Sequence, residues 1–151
     1  MRATRLCFSS RVLLSVLLLI CTGCTKASNV ALRVLQIQQN WQLQPGSEIA
    51  GHRILGGLGD VSIALDGSKV YAPFAGKVEP HRDDCVGFSS PEVPAYLLRL
   101  CGVRRPKLGQ VEQGEAIASA KFLQFAALRR QPDGKWAMVE PSTDVLERTL
   151  K

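Results

Sequence analysis

Histidine is the side chain that most often moves protons or binds zinc in proteins, and this chain has two, His52 and His81. With Asp60 between them they form one conceivable zinc set, which would make the protein an active hydrolase with unorthodox ligands. Their spacing matches no known zinc site. A serine or cysteine nucleophile would have to use the same two histidines as its base. We therefore expect no catalytic residue, no metal site and no cofactor, with both histidines at the surface.

The cysteines offer a different chemistry, and Cys85 and Cys101 are the two that fall in the main body of the chain. If residues 85–89 and 96–101 pair as an antiparallel hairpin, residues equidistant from Val93 face each other, and these two cysteines are such a pair. Facing Cα atoms lie about 4.5–5.5 Å apart, within reach of a disulfide. We predict a disulfide that stabilises the hairpin by about 3 kcal/mol through loop entropy. Two small buried thiols are the alternative.

The N-terminus is typical of an exported protein. Three arginines precede or adjoin an apolar run over residues 12–20, which is too short to span a bilayer core that needs about 20 residues but fits a signal peptide. The sequence Cys-Thr-Gly-Cys that follows resembles the lipobox of bacterial lipoproteins, although Cys21 stands where that pattern prefers leucine. We expect a signal peptide over residues 1–23, lipidation of Cys24 and a tether over residues 24–29. An ordinary secretory signal or a short uncleaved anchor is the alternative.

This arrangement would place one domain, residues 30–151, at the bacterial cell envelope, on the exported face of a membrane. The formal net charge is +6, and removal of residues 1–23 takes away three arginines and leaves +3. Such a mild excess, without a recognised binding motif, argues against nucleic acid as a partner. A wall polyanion or a membrane headgroup would suit the basic cluster equally, and a solvated basic loop is the simplest interpretation. The densest basic cluster consists of Arg99, Arg104, Arg105 and Lys107.

Short strands separated by turn residues fill the domain and predict an all-β fold. A short C-terminal helix should begin after Ser142, because this residue is a good N-cap and Asp144 suits the first turn. Residues 55–60 predict a glycine-rich loop that does not bind phosphate, since no Lys-Ser/Thr pair follows it. The predicted strands cover residues 30–37, 41–44, 47–54, 61–65 and 122–129, two strands around Gly114 within 107–117, and a further strand over 136–139.

Residues 70–78, VYAPFAGKV, predict a strand, a tight bend at Gly76 and a second strand. Pro73 lacks an amide donor and should therefore stand at a strand end or edge. The segment resembles the VYAP-x-x-G-x-V stretch of the lysostaphin/LytM-type zinc endopeptidases. It also resembles, more loosely, the hairpins of biotinyl- and lipoyl-like domains. We expect the rest of the domain to be organised around it.

The resemblance to a lysostaphin/LytM-type domain extends from about Ile54 to the C-terminus. Residues 66–73 (DGSKVYAP) resemble that family's x-G-T-P-V-Y-A-P, and residues 111–117 (VEQGEAI) resemble its V-x-x-G-Q-x-I. Residues 122–129 (FLQFAALR) stand on its H-L-H-F-E-V-R. The resemblance implies an all-β, LytM-like barrel-sandwich hybrid, here with a short C-terminal helix.

The residues that bind zinc in this family are missing from the chain. In the family's first motif, a His and an Asp separated by three residues, glycine replaces the His and only Asp60 remains. Phe122 and Gln124 stand on the two His of the last motif, and Arg99 stands near a further active-site His. A catalytic zinc needs three protein ligands. The resemblance therefore implies a pseudo-enzyme without metal, with Asp60, Arg99, Phe122 and Gln124 lining a vestigial groove.

The function that this implies is binding, either of peptidoglycan in the groove or of a cell-wall hydrolase that the protein regulates. Degenerate members of the family are known as activators of wall amidases, which gives the second version a precedent. The alternative is an adaptor of an envelope transport or assembly complex, built on a lipoyl-like hairpin. An active zinc endopeptidase is the third and least favoured hypothesis.

Overall fold

The computed structural model describes residues 41–57 and 59–151, and the structural statements below concern these residues. The predicted signal peptide, the lipidation of Cys24, the tether and the strand over 30–37 lie outside them. The described part contains ten strands and one helix. They are β1 (Glu48–Ile49), β2 (His52–Gly57), β3 (Val61–Ala64), β4 (Lys69–Tyr71), β5 (Gly76–Pro80), β6 (Val86–Ser89), β7 (Tyr96–Arg104), β8 (Gly109–Val111), β9 (Ala116–Arg130), β10 (Trp136–Val139) and α1 (Thr143–Leu150).

The predicted all-β fold class is confirmed, because antiparallel strands dominate and one short helix follows them. The sheet is not closed into a barrel. Helix α1 begins as expected: the Ser142 side chain accepts a hydrogen bond from the Val145 amide, and Asp144 pairs with Arg148 at 3.0 Å. Leu146 and Leu150 on this helix are buried in the core.

The 15-residue strand β9 holds the sheet together. Along one edge it pairs in succession with β4, β3 and β10, and along the other edge it pairs with β7. From β7 the sheet continues through β6 and β5 to β8. The expectation that residues 70–78 organise the domain is therefore wrong, because β9 is the strand that most others contact.

Alternation along β9 separates a core face from an outer face. Leu123, Phe125 and Ala127 are buried, and their neighbours on β3 and β7 are buried with them. Gln124 and Ala126, between them, therefore belong to the outer face, since successive strand residues point to opposite sides. This face carries the residues singled out in the sequence.

The predicted bend at Gly76 is wrong. The chain bends earlier, at residues 73–75, and Gly76 is the first residue of β5. Glycine is required there by packing, because a Cβ would lie 2.8 Å from the Phe88 ring and would also collide with the Ser89 carbonyl oxygen. Strand β4 pairs with β9, whereas β5 pairs with β6 and β8. The stretch is thus not a hairpin of two paired strands.

Three further strand predictions need correction. Residues 47–54 form a hairpin of β1 and β2, since Ala50 and Gly51 both have positive φ and turn the chain. Residues 41–44 are not a strand, and the Leu43 amide instead donates to Glu140 at 2.9 Å. Residues 122–129 are not a separate strand but the second half of β9.

The register predicted for the hairpin around Val93 is confirmed. Strands β6 and β7 pair Val86 with Leu100 and Phe88 with Leu98, which are residues equidistant from Val93. Cys85 and Cys101 stand next in this register and are joined by a disulfide. The bridge lies beside β9, because Cys101 also pairs with Gln124.

Candidate functional site

Asp60 and Arg99 are brought together on the outer face of the sheet. Arg99 on β7 pairs with Ala126 on β9, and Asp60 directly precedes Val61, which pairs with Phe125. The two charged residues therefore flank Ala126 from opposite sides. Ala126 is only 1% exposed although it lies on the outer face, as expected for a small residue bridged by a long side chain.

The ion pair between these residues is loose. Arg99 Nη2 lies 3.9 Å from Asp60 Oδ2, and each side chain is about one-third exposed, at 33% and 32%. Pairs of this kind contribute about 0–1 kcal/mol to stability. Arg99 Nε is buried and has no hydrogen-bond partner within the described part of the chain. The guanidinium thus keeps donor capacity that Asp60 does not use.

An apolar row lies next to this pair on the same face. Leu97 pairs with Leu128, and Leu128 pairs with Met138 on β10, so the three side chains stand side by side across three strands. Met138 is 50% exposed. The loop before β3 reaches this row, because a Cβ on Gly59 would lie 3.2 Å from Met138 Sδ. We call the Asp60–Arg99 pair and this row the outer strip.

Phe122 and Gln124 lie further along β9 and form no ion pair with Asp60 or Arg99. Together they line a cavity of about 570 Å³. Gln124 is two residues from Ala126 on the outer face, between Ser62 and Cys101. Phe122 is 49% exposed, so it lines the cavity and does not enter the core. The other lining residues are Asp84, Gly102, Val103, Arg104 and Lys121.

The two histidines stand apart from these residues. His52 begins β2 and pairs with Ile49, and His81 is exposed in the loop after β5. In residues 41–57 and 59–151, no group of three His, Cys, Asp or Glu side chains is placed to hold a metal ion. The hypothetical set of His52, Asp60 and His81 is therefore not assembled.

The sequence prediction missed the apolar half of the outer strip. In the sequence, Leu97 and Leu128 look like ordinary strand residues, and nothing there identifies the partner of the strand that contains Met138. The available signal was the alternation in residues 96–101 and 122–129. Once β7 and β9 are paired, this alternation puts Leu97, Arg99, Ala126 and Leu128 on one face.

Comparison with known proteins gives no identification. No family model matches the chain, and no curated protein matches it. The likeness to lysostaphin/LytM-type domains therefore stays a prediction from the sequence. Among the helices of the described part, none combines the length and the apolar character needed to cross a membrane.

Proposed function

We propose that this chain is a non-catalytic, lipid-anchored protein of the bacterial cell envelope. Its LytM-like domain would bind peptidoglycan, or regulate a cell-wall hydrolase, through the outer strip. The observation that carries the proposal is the Asp60–Arg99 pair, which occupies positions that the family resemblance assigns to the zinc site. The lipid anchor at Cys24 and the envelope location are part of the same proposal and derive from the sequence.

The ion pair supports a role without metal. Asp60 is the one carboxylate left from the family's ligand set, and a guanidinium stands 3.9 Å from it. A divalent cation that approached Asp60 would meet the positive charge of Arg99, and like charges at this distance repel.

The outer strip also has the chemistry of a peptide-binding surface. Its apolar row can receive small apolar side chains, and its guanidinium, which is one-third exposed and only loosely held by Asp60, can donate to a carboxylate. Peptidoglycan stem peptides carry both kinds of group. An interface that combines an apolar patch with one arginine anchor is typical of sites where a few residues supply most of the affinity.

Cosedimentation with purified peptidoglycan tests the proposal. The full chain, kept soluble in detergent, is mixed with sacculi, and the bound fraction is compared with that of Arg99→Gln. We expect the wild-type chain to be retained and the variant to bind at least fivefold more weakly, because the charge-assisted contact is lost. Arg82→Gln is the matched control, since Arg82 is exposed and forms no ion pair among the described residues.

The outcome separates the two versions of the function. If sacculi recover nothing, the peptidoglycan version fails. A purified wall amidase is then assayed with and without the chain. A rate increase that Arg99→Gln abolishes supports the regulatory version, and an unchanged rate overturns the proposal as a whole.

A further inference from the structure

Four of the eight cations that form no ion pair in the described part of the chain lie together at one place. Lys69, Arg104, Arg105 and Lys121 are all exposed, and none forms an ion pair within the described residues. Lys69 and Arg104 flank Ser119 of β9 from opposite edges. Lys107, at the margin, differs from them because it is paired with Glu115. We call the four unpaired cations, together with Phe122, the basic surface.

A bulge in β9 exposes Lys121 next to Phe122, which already lies on the outer face by alternation. Cys101 pairs with Gln124, but Val103 pairs with Ala120, so β9 has more residues than β7 between these two pairs. Gly102 makes the bulge possible: it has φ +76°, and a Cβ there would collide with the Phe122 carbonyl oxygen. Bulges re-aim side chains, and here two consecutive residues are exposed.

The bulge places an aromatic ring among the cations. Lys121 Nζ lies 5.5 Å from the centre of the Phe122 ring, within cation–π distance. About half of Phe122 remains in contact with solvent. If these cations were only a solvated basic loop, there would be no reason for a large apolar side chain to be exposed beside them.

Arg104 makes the surface continuous. It lines the cavity of about 570 Å³ that Phe122 also lines, and it lines a second cavity of about 210 Å³ beside Lys69 and Arg105. Asp84 is the one carboxylate that lines either cavity, and it forms no ion pair with these cations. The net charge of the surface is therefore positive over both depressions.

We propose that the basic surface docks on the phosphate headgroups of an anionic phospholipid bilayer, with Phe122 entering the interface. Clustered lysines and arginines are attracted to such a bilayer, at about fivefold in affinity for each cation near it. An aromatic side chain gains from the apolar phase just below the headgroups, which a soluble polyanion cannot offer. This inference does not depend on the outer strip or on its ligand.

Vesicle binding tests it. The full chain carries Cys24→Ser, so that the predicted lipid does not contribute. It is mixed with vesicles of phosphatidylcholine, or of phosphatidylcholine with an equal amount of phosphatidylglycerol. Neutral vesicles measure the apolar contribution of the N-terminal segment, and the contribution of its three arginines is the same in all variants because none of them changes that segment. We expect added binding to the anionic vesicles, and we expect that addition to decline as salt shortens the Debye length.

The adjacent pair Arg104→Gln/Arg105→Gln is the decisive variant. Its added affinity for the anionic vesicles should fall about 25-fold, since the loss of each cation lowers that affinity about fivefold. Arg129→Gln/Arg130→Gln is the matched control: it also removes two adjacent, exposed arginines without ion pairs within the described part, but away from the bulge. The control should lose less than about twofold. If both double variants lose the same affinity for anionic vesicles, the binding depends only on the net charge of the protein, and the proposal is overturned.

Phe122→Ser tests the apolar contact. We expect it to weaken anionic binding severalfold, whereas Leu55→Ser, which removes a side chain of similar exposure, should not. Thermal midpoints of all variants show that each is folded. The proposal fails if anionic vesicles are not preferred over neutral ones. It fails equally if soluble polyphosphate or RNA competes away the vesicles at matched phosphate concentration, because the site then selects a dissolved polyanion.

Discussion

Strand β9 presents two different surfaces to solvent, and the contrast between them is instructive. Around Ala126 the strand keeps its register with β7, and a cation and a carboxylate flank it beside an apolar row. Around Lys121 the register shifts, and cations stand there without partners. Regular pairing yields a nearly neutral strip suited to a peptide, whereas a local irregularity yields a charged surface suited to a polyanion. The side chains that β9 exposes thus differ between its regular part and its bulged part.

Removing the irregularity should have the largest effect. Gly102→Ala places a Cβ against the Phe122 carbonyl and forces a side chain into a positive φ, so we expect a loss of about 3–5 kcal/mol in the free energy of unfolding. Urea denaturation measures it. Gly114→Ala is the control, because Gly114 also has positive φ but has open space around it, and about 1 kcal/mol is expected. Similar losses at both positions would mean that close packing does not maintain the bulge.

Removing the disulfide comes next, because it lies between the two surfaces. Cys85→Ser combined with Cys101→Ser should lower the free energy of unfolding by about 3 kcal/mol, through a freer unfolded chain. Denaturation of the oxidised, reduced and doubly substituted chains measures the change. If reduction leaves the midpoint unchanged, the bridge contributes nothing to holding β6 and β7 in place.

A smaller effect on stability should come from the Lys107–Glu115 pair at the margin of the basic surface. The hydrogen bond from Lys107, and then that from the Glu112 amide, hold the pKa of Glu115 below its ordinary value. Because the pKa is lowered in the folded state, the stability from this pair is present above the unfolded pKa and is lost as the pH falls through the folded pKa. Glu115→Gln should remove this pH dependence and free Lys107.

The same substitution sharpens the comparison of the two surfaces. An unpaired Lys107 adds one cation to the basic surface, so we expect Glu115→Gln to bind anionic vesicles up to about fivefold more tightly near neutral pH. Its retention on sacculi should not change. A variant that alters both binding reactions together would show that the two surfaces are not separate.

The smallest effect is expected from adding zinc, which would have to bind at Asp60 beside the regular part of β9. Calorimetric titration of the full chain in detergent with zinc at tens of micromolar should give no binding that depends on Asp60, because Arg99 opposes a cation there. Stoichiometric binding that Asp60→Ala abolishes would contradict the proposed function. Peptidoglycan hydrolysis would then have to be assayed.

Local features of the fold could be predicted from the sequence. The β6–β7 hairpin follows from alternation on both sides of one turn, and α1 follows from Ser142 and Asp144. Both depend on residues close together in the chain. Asp60 and Arg99 could be singled out through the family resemblance, but their approach required the pairing of β3 and β7 with β9.

Long-range features could not be predicted in the same way. Gly76 looks like a turn glycine in the sequence, and only the neighbouring Phe88 ring and Ser89 carbonyl show that it is a packing glycine. The bulge leaves no local signature either, since Lys121 and Phe122 continue a normal strand pattern. The exposure of Lys121 coincides with a register shift opposite Gly102, which lies on another strand. The role of such residues becomes visible only when the strands that they contact are known.

The position of β9 near the end of the chain has a consequence for the order of folding. The hairpin of β6 and β7 can close as soon as it is made, because its contacts are local. Strands β3 and β4 pair with β9 across long stretches of sequence, Val61 with Phe125 and Lys69 with Ser119. A growing chain therefore carries these two strands with open edges until β9 has been synthesised, and it is prone to aggregate for that interval. Strand β3 can pair with β2 as soon as both are made, but its other edge, and β4, have no partner until residues 116–130 have been synthesised.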